Sequence, residues 1–586
     1  MTFENRQRRV AAVLAFGLGA MLTALAGYLV YILCVSAAPL AERAAKMHHM
    51  RIPIQPVRGN ILDSRMRVLA GSQEVKSVFA DPKIMSDPAD VAARLAPVIN
   101  VRREEIFRKL TEDPESRFVW LVRRVKPEVG DAVRRLGLDG IALTTEGVRN
   151  FPNGQLAAHV LGFVGVEEQG LEGIEKLFDE RLRGKPGMAY VLADRRRRPI
   201  WIEPDQFTPS EDGQHLVLTI DATIQAAAEE AVAEAVKKFS AVSATAVVLD
   251  PETGAILALA NVPTYDPNRY AAFSVDARRN RALTDTFPPG SNCKPCIAAA
   301  AIEAGSVRFG QVFNCESGYW AAAKLHDAGH SYGNLTIEEV LIKSSNIGMA
   351  KVGLLMGNEK LHAGMLAFGY GRKSGVWLPA EDPGLVWPLR RWGKLSTTRC
   401  AFGQEFTATP LQMTNAFAAL ANGGKLLRPK ILRGILDSRG QVAADLSEPE
   451  VIGQAVSAKV ARHLIDKALV AVVEEGTGKA AQIPGYRVFG KTGTAQKIDP
   501  ETRAVSNTRY MGSFLCGAPA HKPQVVVGVF VNEPEKSKGY YGGTVAAPAA
   551  QKILQQTLTY LAIPPTEKIT EKQAAHLVRQ DVRVTD

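Results

Sequence analysis

From Val10 to Cys34 the chain carries no charged side chain, and none follows until Glu42. A membrane-spanning helix needs about 20 apolar residues, so this run is expected to fold as a single transmembrane anchor. Arg6, Arg8 and Arg9 precede it, which by the positive-inside rule leaves the N-terminus in the cytoplasm and sends the rest of the chain across. A cleaved signal peptide is the rival, since Val35-Ser36-Ala37 offers small residues at a cleavage point. The apolar run exceeds the roughly 7 to 15 residues of a signal-peptide core, which favours a retained anchor.

The whole chain of 586 residues is long enough for more than one hydrophobic core. Its net charge of +11 suits nucleic acid, an anionic membrane surface or an acidic cell-wall polymer. The sharpest basic run, Arg195-Arg196-Arg197-Arg198, stands between Val191-Leu192-Ala193-Asp194 and Pro199-Ile200-Trp201 and reads as a charged hairpin turn, so no nucleic-acid partner is expected. Six cysteines in a chain this long do not make a disulfide framework. Cys293 and Cys296 form one C-x-x-C pair with no matching His or second pair, so zinc is not implied, and they read as small apolar side chains packed on a helix and reduced.

Those two cysteines lie in Pro289-Gly290-Ser291-Asn292-Cys293-Lys294-Pro295, a turn running into an Ala-rich helical segment. Ser291 and Lys294 stand three residues apart, on one face of a helix, where a neutral amine can take the hydroxyl proton as the serine attacks a carbonyl. Burial would depress the lysine pKa enough to allow this. Alone, the tetrapeptide equally describes a helix-capping Ser and a solvated Lys. Two further stretches change its weight. Ser344-Ser345-Asn346 follows a helix-like opening at Leu335–Ile342, and Lys491-Thr492-Gly493-Thr494 follows Tyr486–Phe489, which reads as a strand. Ser-x-x-Lys, Ser-x-Asn and Lys-Thr-Gly in that order are the motif set of penicillin-binding proteins and class A β-lactamases.

With these motifs the chain resembles the class B penicillin-binding proteins, most closely the division-specific FtsI type, over roughly residues 10 to 560. Arg58–Asp63 looks like the family's segment just outside the membrane, Gly170–Glu175 like its pedestal motif, Leu218–Gln225 like the opening of the transpeptidase domain and Tyr541–Pro548 like its closing segment. The resemblance implies a multidomain α+β protein. Its parts would be a cytoplasmic N-terminus (1–9), the anchor (10–34), an elongated mixed α/β non-catalytic pedestal of the dimerisation type (35–205), a transpeptidase domain with an antiparallel sheet between helical layers (206–563) and a polar tail (564–586). Glu172 and Glu175 could be offered as an acid/base pair, but their spacing beside glycines fits a structural corner at least as well.

The implied reaction is D,D-transpeptidation of peptidoglycan stem peptides during septal wall synthesis, with β-lactams as inhibitors and neither cofactor nor metal. Ser291 would be the nucleophile and Lys294 its base, with Ser344 and Asn346 completing the proton path. Lys491, Thr492 and Thr494 would hold the terminal carboxylate, and Lys491 would help keep Lys294 neutral by repulsion. The backbone N–H groups of Ser291 and Thr494 would form the oxyanion hole, and Gly493 would leave the ligand room to approach. Partners implied are a lipid II polymerase of the FtsW type and other division proteins, at the inner membrane with the catalytic domain periplasmic. Asn292, Cys293, Cys296 and Pro288 depart from the family pattern.

Rival readings are an elongation enzyme, a D,D-carboxypeptidase and an inactive division scaffold, the last opposed by the intact motifs. A class A β-lactamase would need a Glu-x-x-Leu-Asn pattern that is not found, and a bifunctional class A synthase would need a glycosyltransferase domain before residue 205. Gly485–Thr492 also fits the P-loop expression literally, but its bulky interior, Pro484 and Gly493 exclude a phosphate cradle opening a helix.

Overall fold

The apolar N-terminal run folds as helix α1 (Phe3–Tyr31), continued by a π-helical stretch, Ile32–Ser36. Among the described residues it is the one helix long and apolar enough to cross a membrane, and none of its span from Arg6 to Cys34 is buried against protein. A computed structural model describes residues 3–37, 49–193, 199–202, 207–327, 331–498 and 505–567. The Arg195–Arg198 run and most of the expected polar tail lie outside the described residues.

The chain packs as two units that are not contiguous in sequence: Met1–Val57 with Glu74–Val148 and Gly184–Asp212, and Arg58–Gln73 with Arg149–Arg183 and Gly213–Asp586. In the first unit, helices Pro88–Ile99, Arg103–Thr111 and Pro127–Leu136 close over Val78, Leu95, Ile106, Leu121 and Val133. Asp87 accepts from the N–H groups of Ala89 and Asp90 and starts the first of these helices, and Asn100 ends it in the left-handed region.

In the sequence Val57–Leu62 reads as a β-like run, but only Ile61–Leu62, in the second unit, forms a strand, which pairs in parallel with His215–Leu218. The backbone before it is engaged elsewhere. The Gly59 N–H donates to Leu182 O, and the Arg58 guanidinium, 2% exposed, binds Glu175 Oε2 at 2.6 Å and Asp179 Oδ1 at 2.7 Å. Arg149 Nε donates to the other oxygen of Glu175 at 2.6 Å. Glu175 is therefore the centre of a buried charge cluster and Glu172 lies outside it, which gives this pair the structural-corner reading.

The larger core is built around five antiparallel strands. Helix α2 (Ala222–Phe239), capped by Asp221, leads into β1 (Ser243–Leu249) and β2 (Ile256–Val262). The Ala-rich α3 (Lys294–Glu303), α4 (Ile337–Lys343), α5 (Asn346–Ala367) and α6 (Pro410–Ala421) follow, then β3 (Phe489–Ile498), β4 (Val505–Ala518), β5 (Val525–Asn532) and α7 (Ala547–Tyr560). The sheet order is β2-β1-β5-β4-β3, so β3 is an edge strand. Side chains alternate faces along a strand, and here both faces are covered, which is why Val525–Val531 is apolar throughout. Val248, Val527 and Val529 pack with Val232, Ile553 and Leu554 of α2 and α7. Val247, Val526 and Phe530 pack in the core that holds Ala298, Met413 and Phe417 of α3 and α6. Each such valine contributes roughly 1.5 to 3 kcal/mol when fully buried. Along α3, alanines permit close approach: a Cβ on Gly364 of α5 would sit 2.7 Å from the Ala300 Cβ.

Candidate active site

Ser291 lies in a 3₁₀ turn, Gly290–Cys293, and Lys294 is the first residue of α3. Side chains at i and i+3 eclipse in a 3₁₀ turn, so the tetrapeptide presents both groups together without needing a longer helix. Two glycines hold the turn from behind. Gly290 has φ +54 and donates its N–H to Gly403 O at 3.0 Å, while Gly403 has φ +88. A Cβ on Gly403 would meet Gly290 O at 2.1 Å, so only glycine fits there.

Lys294 is fully buried. Its Nζ donates to Ser344 O at 2.7 Å and Asn346 Oδ1 at 2.8 Å and lies 3.4 Å from Ser344 Oγ. Burial pushes its amine down to about 8, against the opposing pull of Asp327 and Cys293. Ser344 ends α4 with φ +60, a left-handed conformation that costs a non-glycine residue about 1 to 3 kcal/mol and turns its hydroxyl into the site. From the other side Lys491 Nζ, also fully buried, donates to Ser344 Oγ at 2.9 Å and to Thr492 O at 3.1 Å. One hydroxyl thus stands between two buried amines. Burial first and the Lys294 charge second hold Lys491 well below the usual lysine range. Burial is the main cause on both amines, and the repulsion between them adds to it.

The Lys-Thr-Gly element lies inside β3. The expected strand at Tyr486–Phe489 is displaced by a turn at Pro484-Gly485, where Gly485 has φ +81 and Ile483 bridges to Tyr486, so the strand starts only at Phe489. Lys491 and Thr492 therefore lie in extended backbone paired with Leu515 and Phe514, which removes the P-loop reading. Because β3 is the edge strand, one row of its backbone groups is left by the sheet, and Gly290 approaches that strand at Thr494. Gly493 is explained differently from the expectation. A Cβ there would meet Ser513 Oγ at 2.5 Å and the Asn292 amide at 2.7 Å, so the glycine accommodates Asn292, whose Nδ2 donates to Ser513 Oγ at 2.8 Å. The unusual Asn292 is thus a tie between the serine turn and β4.

Ser291, Ser344, Asn346, Thr492 and Thr494 line one cleft of about 1040 Å³, with Lys294 and Lys491 set behind its wall. Thr492 Oγ1 is 2.7 Å from Thr477 Oγ1, and Thr494 Oγ1 accepts from the Gly542 N–H at 3.1 Å, leaving its own proton for a ligand. Sequence reading missed two features of the cleft. Tyr510, Tyr540 and Tyr541 follow one another along one side, Tyr510 tilted against Tyr540 at 4.4 Å and Tyr540 stacked on Tyr541 at 4.3 Å between ring centroids. Asp327 lies on the wall near Asn346. The tyrosines were signalled only by Tyr540 adjoining the Tyr541–Pro548 segment, and Asp327 by nothing in the motif pattern. Cys293 and Cys296 are buried free thiols, Cys293 donating to Gly290 O at 3.2 Å, with burial pushing Cys296 up to about 12. Among the described residues, no three His, Cys, Asp or Glu side chains gather as a metal site requires.

Residues 244–555 match the penicillin binding protein transpeptidase domain, and residues 53–218 the penicillin-binding protein dimerisation domain. The chain is 33% identical over 541 residues to peptidoglycan D,D-transpeptidase FtsI of Escherichia coli (strain K12), covering 91% of this chain and 89% of that protein. It is 32% identical over 574 residues to stage V sporulation protein D of Bacillus subtilis, covering 97% and 88%. Its fold matches the crystal structure of penicillin binding protein 3 from Mycobacterium tuberculosis complexed with aztreonam with a TM-score of 0.68 at 27% identity, covering 89% of this chain and all of that one.

Proposed function

The chain belongs to the class B penicillin-binding proteins, and on that premise we propose that it is the peptidoglycan D,D-transpeptidase of septal wall synthesis, using Ser291 as its acylating serine. The observation that carries the reading is the Ser344 hydroxyl held between two fully buried lysine amines in the cleft that Ser291 lines. Neutral Lys294 takes the Ser291 proton as Oγ attacks the penultimate D-Ala carbonyl. The N–H groups of Ser291 and Thr494 receive the oxyanion; losing one such donor costs about 3 to 4 kcal/mol of transition-state stabilisation. The proton passes from Lys294 through the Ser344 hydroxyl to the departing D-Ala nitrogen, and the acyl group stays on Ser291. A second stem peptide's amine then attacks the ester, its proton passes through the same groups to the departing Ser291 Oγ as the ester bond breaks, and the cross-link forms. Asn346 fixes the Lys294 amine and holds the substrate amide. The arriving carboxylate is received by the Thr492 and Thr494 hydroxyls and favours the positive charge of Lys491 behind them.

The same constellation should accept β-lactams, whose strained amide presents the same carbonyl and carboxylate. Residues 35–205 serve as the pedestal, residues 206–563 as the catalytic domain and residues 10–34 as a single-pass anchor in the cytoplasmic membrane. Arg6, Arg8 and Arg9 keep the N-terminus cytoplasmic and the catalytic domain outside. A lipid II polymerase of the FtsW type is the partner expected to supply new strands. The septal role draws on the FtsI-type segments, Tyr541–Pro548 among them. Depletion in the native host tests it: unseptated filaments support a division enzyme, and round cells would make it an elongation enzyme.

A further inference from the structure

Asp327 belongs to none of the three motifs, yet it is 5% exposed on the wall of the cleft. It follows a short hairpin in which Tyr319 pairs with His326 and Trp320 with Leu325, and its N–H donates to Gly318 O at 3.0 Å. Among the described residues, its carboxylate is bound by the Ser-x-Asn element and the residue after it. Oδ2 accepts from Ser345 Oγ at 2.7 Å, and Oδ1 accepts from the backbone N–H groups of Asn346 at 2.6 Å and Ile347 at 3.0 Å. Those N–H groups open α5, where the helix leaves donors unpaired and its dipole favours a negative charge. Ser345 is itself the cap of this helix, accepting from the Gly348 N–H at 2.9 Å. One carboxylate therefore locks the segment whose two functional side chains, Ser344 and Asn346, meet the Lys294 amine.

We propose that Asp327 is a positioning residue for the acylation step: its carboxylate seats Ser344 and Asn346 against Lys294. The inference rests on Lys294 being the general base. Among the described residues, the charged and titratable groups facing Lys294 are few. Lys491 approaches from β3, Cys293 precedes it on its own turn, and Asp327 faces it from the hairpin, with Tyr332 beyond the carboxylate. Among them Asp327 is the first cause pulling Lys294 back toward its charged form against burial.

The test uses the full-length protein in detergent and measures the rate of acylation by a fluorescent penicillin from pH 5.5 to 10. Asp327→Asn places an amide donor where the structure needs an acceptor and removes the charge. Its plateau rate is expected to fall at least tenfold and its acidic limb to move to lower pH by at least half a unit. Asp327→Glu keeps the charge but not the fit, so its plateau falls as far while its limb stays with the wild type. A merely structural residue would not move the limb. An Asn variant whose limb coincides with the wild type overturns the proposal, whatever its plateau. Where the Asn variant fails to fold, the Glu variant decides, and a wild-type plateau there overturns the proposal equally. Failure of the underlying reading shows separately, as wild-type protein that takes no label or label that survives Ser291→Ala.

Discussion

Lys294 ties chemistry and stability to one number. With its amine at about 8 instead of the ordinary 10.5, about one tenth of it is neutral at pH 7 and about one hundredth at pH 6. At 10.5 the neutral fraction at pH 7 would be roughly 300-fold smaller than at 8. Acylation by benzylpenicillin should therefore rise about tenfold per pH unit up to pH 7 and level off above a midpoint near 8. The same depression has a thermodynamic side. Between pH 8 and 10.5 the unfolded chain binds more protons at this lysine than the folded one, so stability rises with pH across that window. The depressed pKa costs about 3 kcal/mol below pH 8, and the cost is lost above 10.5. Lys294→Met removes the titrating group and with it that slope, while abolishing acylation. Two assays on the full-length protein suffice: acylation rate against pH, and denaturant midpoints of wild type and Lys294→Met at pH 7.5 and 10. A rate that is flat from pH 6 to 9, or still climbing at pH 10, would refute the buried-base argument, as would equal pH slopes of stability.

Three further outcomes follow from the packing. Gly403→Ala forces a Cβ to 2.1 Å from Gly290 O at φ +88, so it should slow acylation at least tenfold without touching a motif residue, read by penicillin labelling. Glu175→Gln removes the carboxylate from between buried Arg58 and Arg149 and should destabilise its unit by about 3 to 5 kcal/mol, read as a lowered denaturant midpoint with Ser291 reactivity retained below it. Cys293, Cys296 and Cys516 are buried with thiols pushed up, so iodoacetamide should leave them unmodified in native protein and alkylate all three in denaturant; a two-proton mass deficit in the peptide holding Cys293 and Cys296 would show a disulfide instead.

What could be read ahead of the fold was whatever is local in the chain. The amphipathic run Ala222–Phe239 reads as a helix in the sequence and is α2, and the uncharged N-terminal run marks α1. The motif residues were legible because their spacing is chemistry, and the fold brings all of them to one cleft or to the layer directly behind it. Strand limits failed where a turn or a side-chain cluster outbid the ladder: at Tyr486, where Gly485 turns the chain, and at Arg58, whose guanidinium is committed to Glu175, 117 positions on. The support of the site was not legible at all. Gly403 meets Gly290, Asn292 meets Ser513 and Asp327 meets Asn346 only once distant segments are folded together, and no pattern in one sequence encodes those contacts.

The most direct test of the central claim is the intact mass of the full-length protein, wild type and Ser291→Ala, after incubation with benzylpenicillin. The account predicts one covalent adduct on the wild type and none on the variant. An adduct that persists on Ser291→Ala, or a wild type that stays unmodified at pH 9, where Lys294 is mostly neutral, would contradict it.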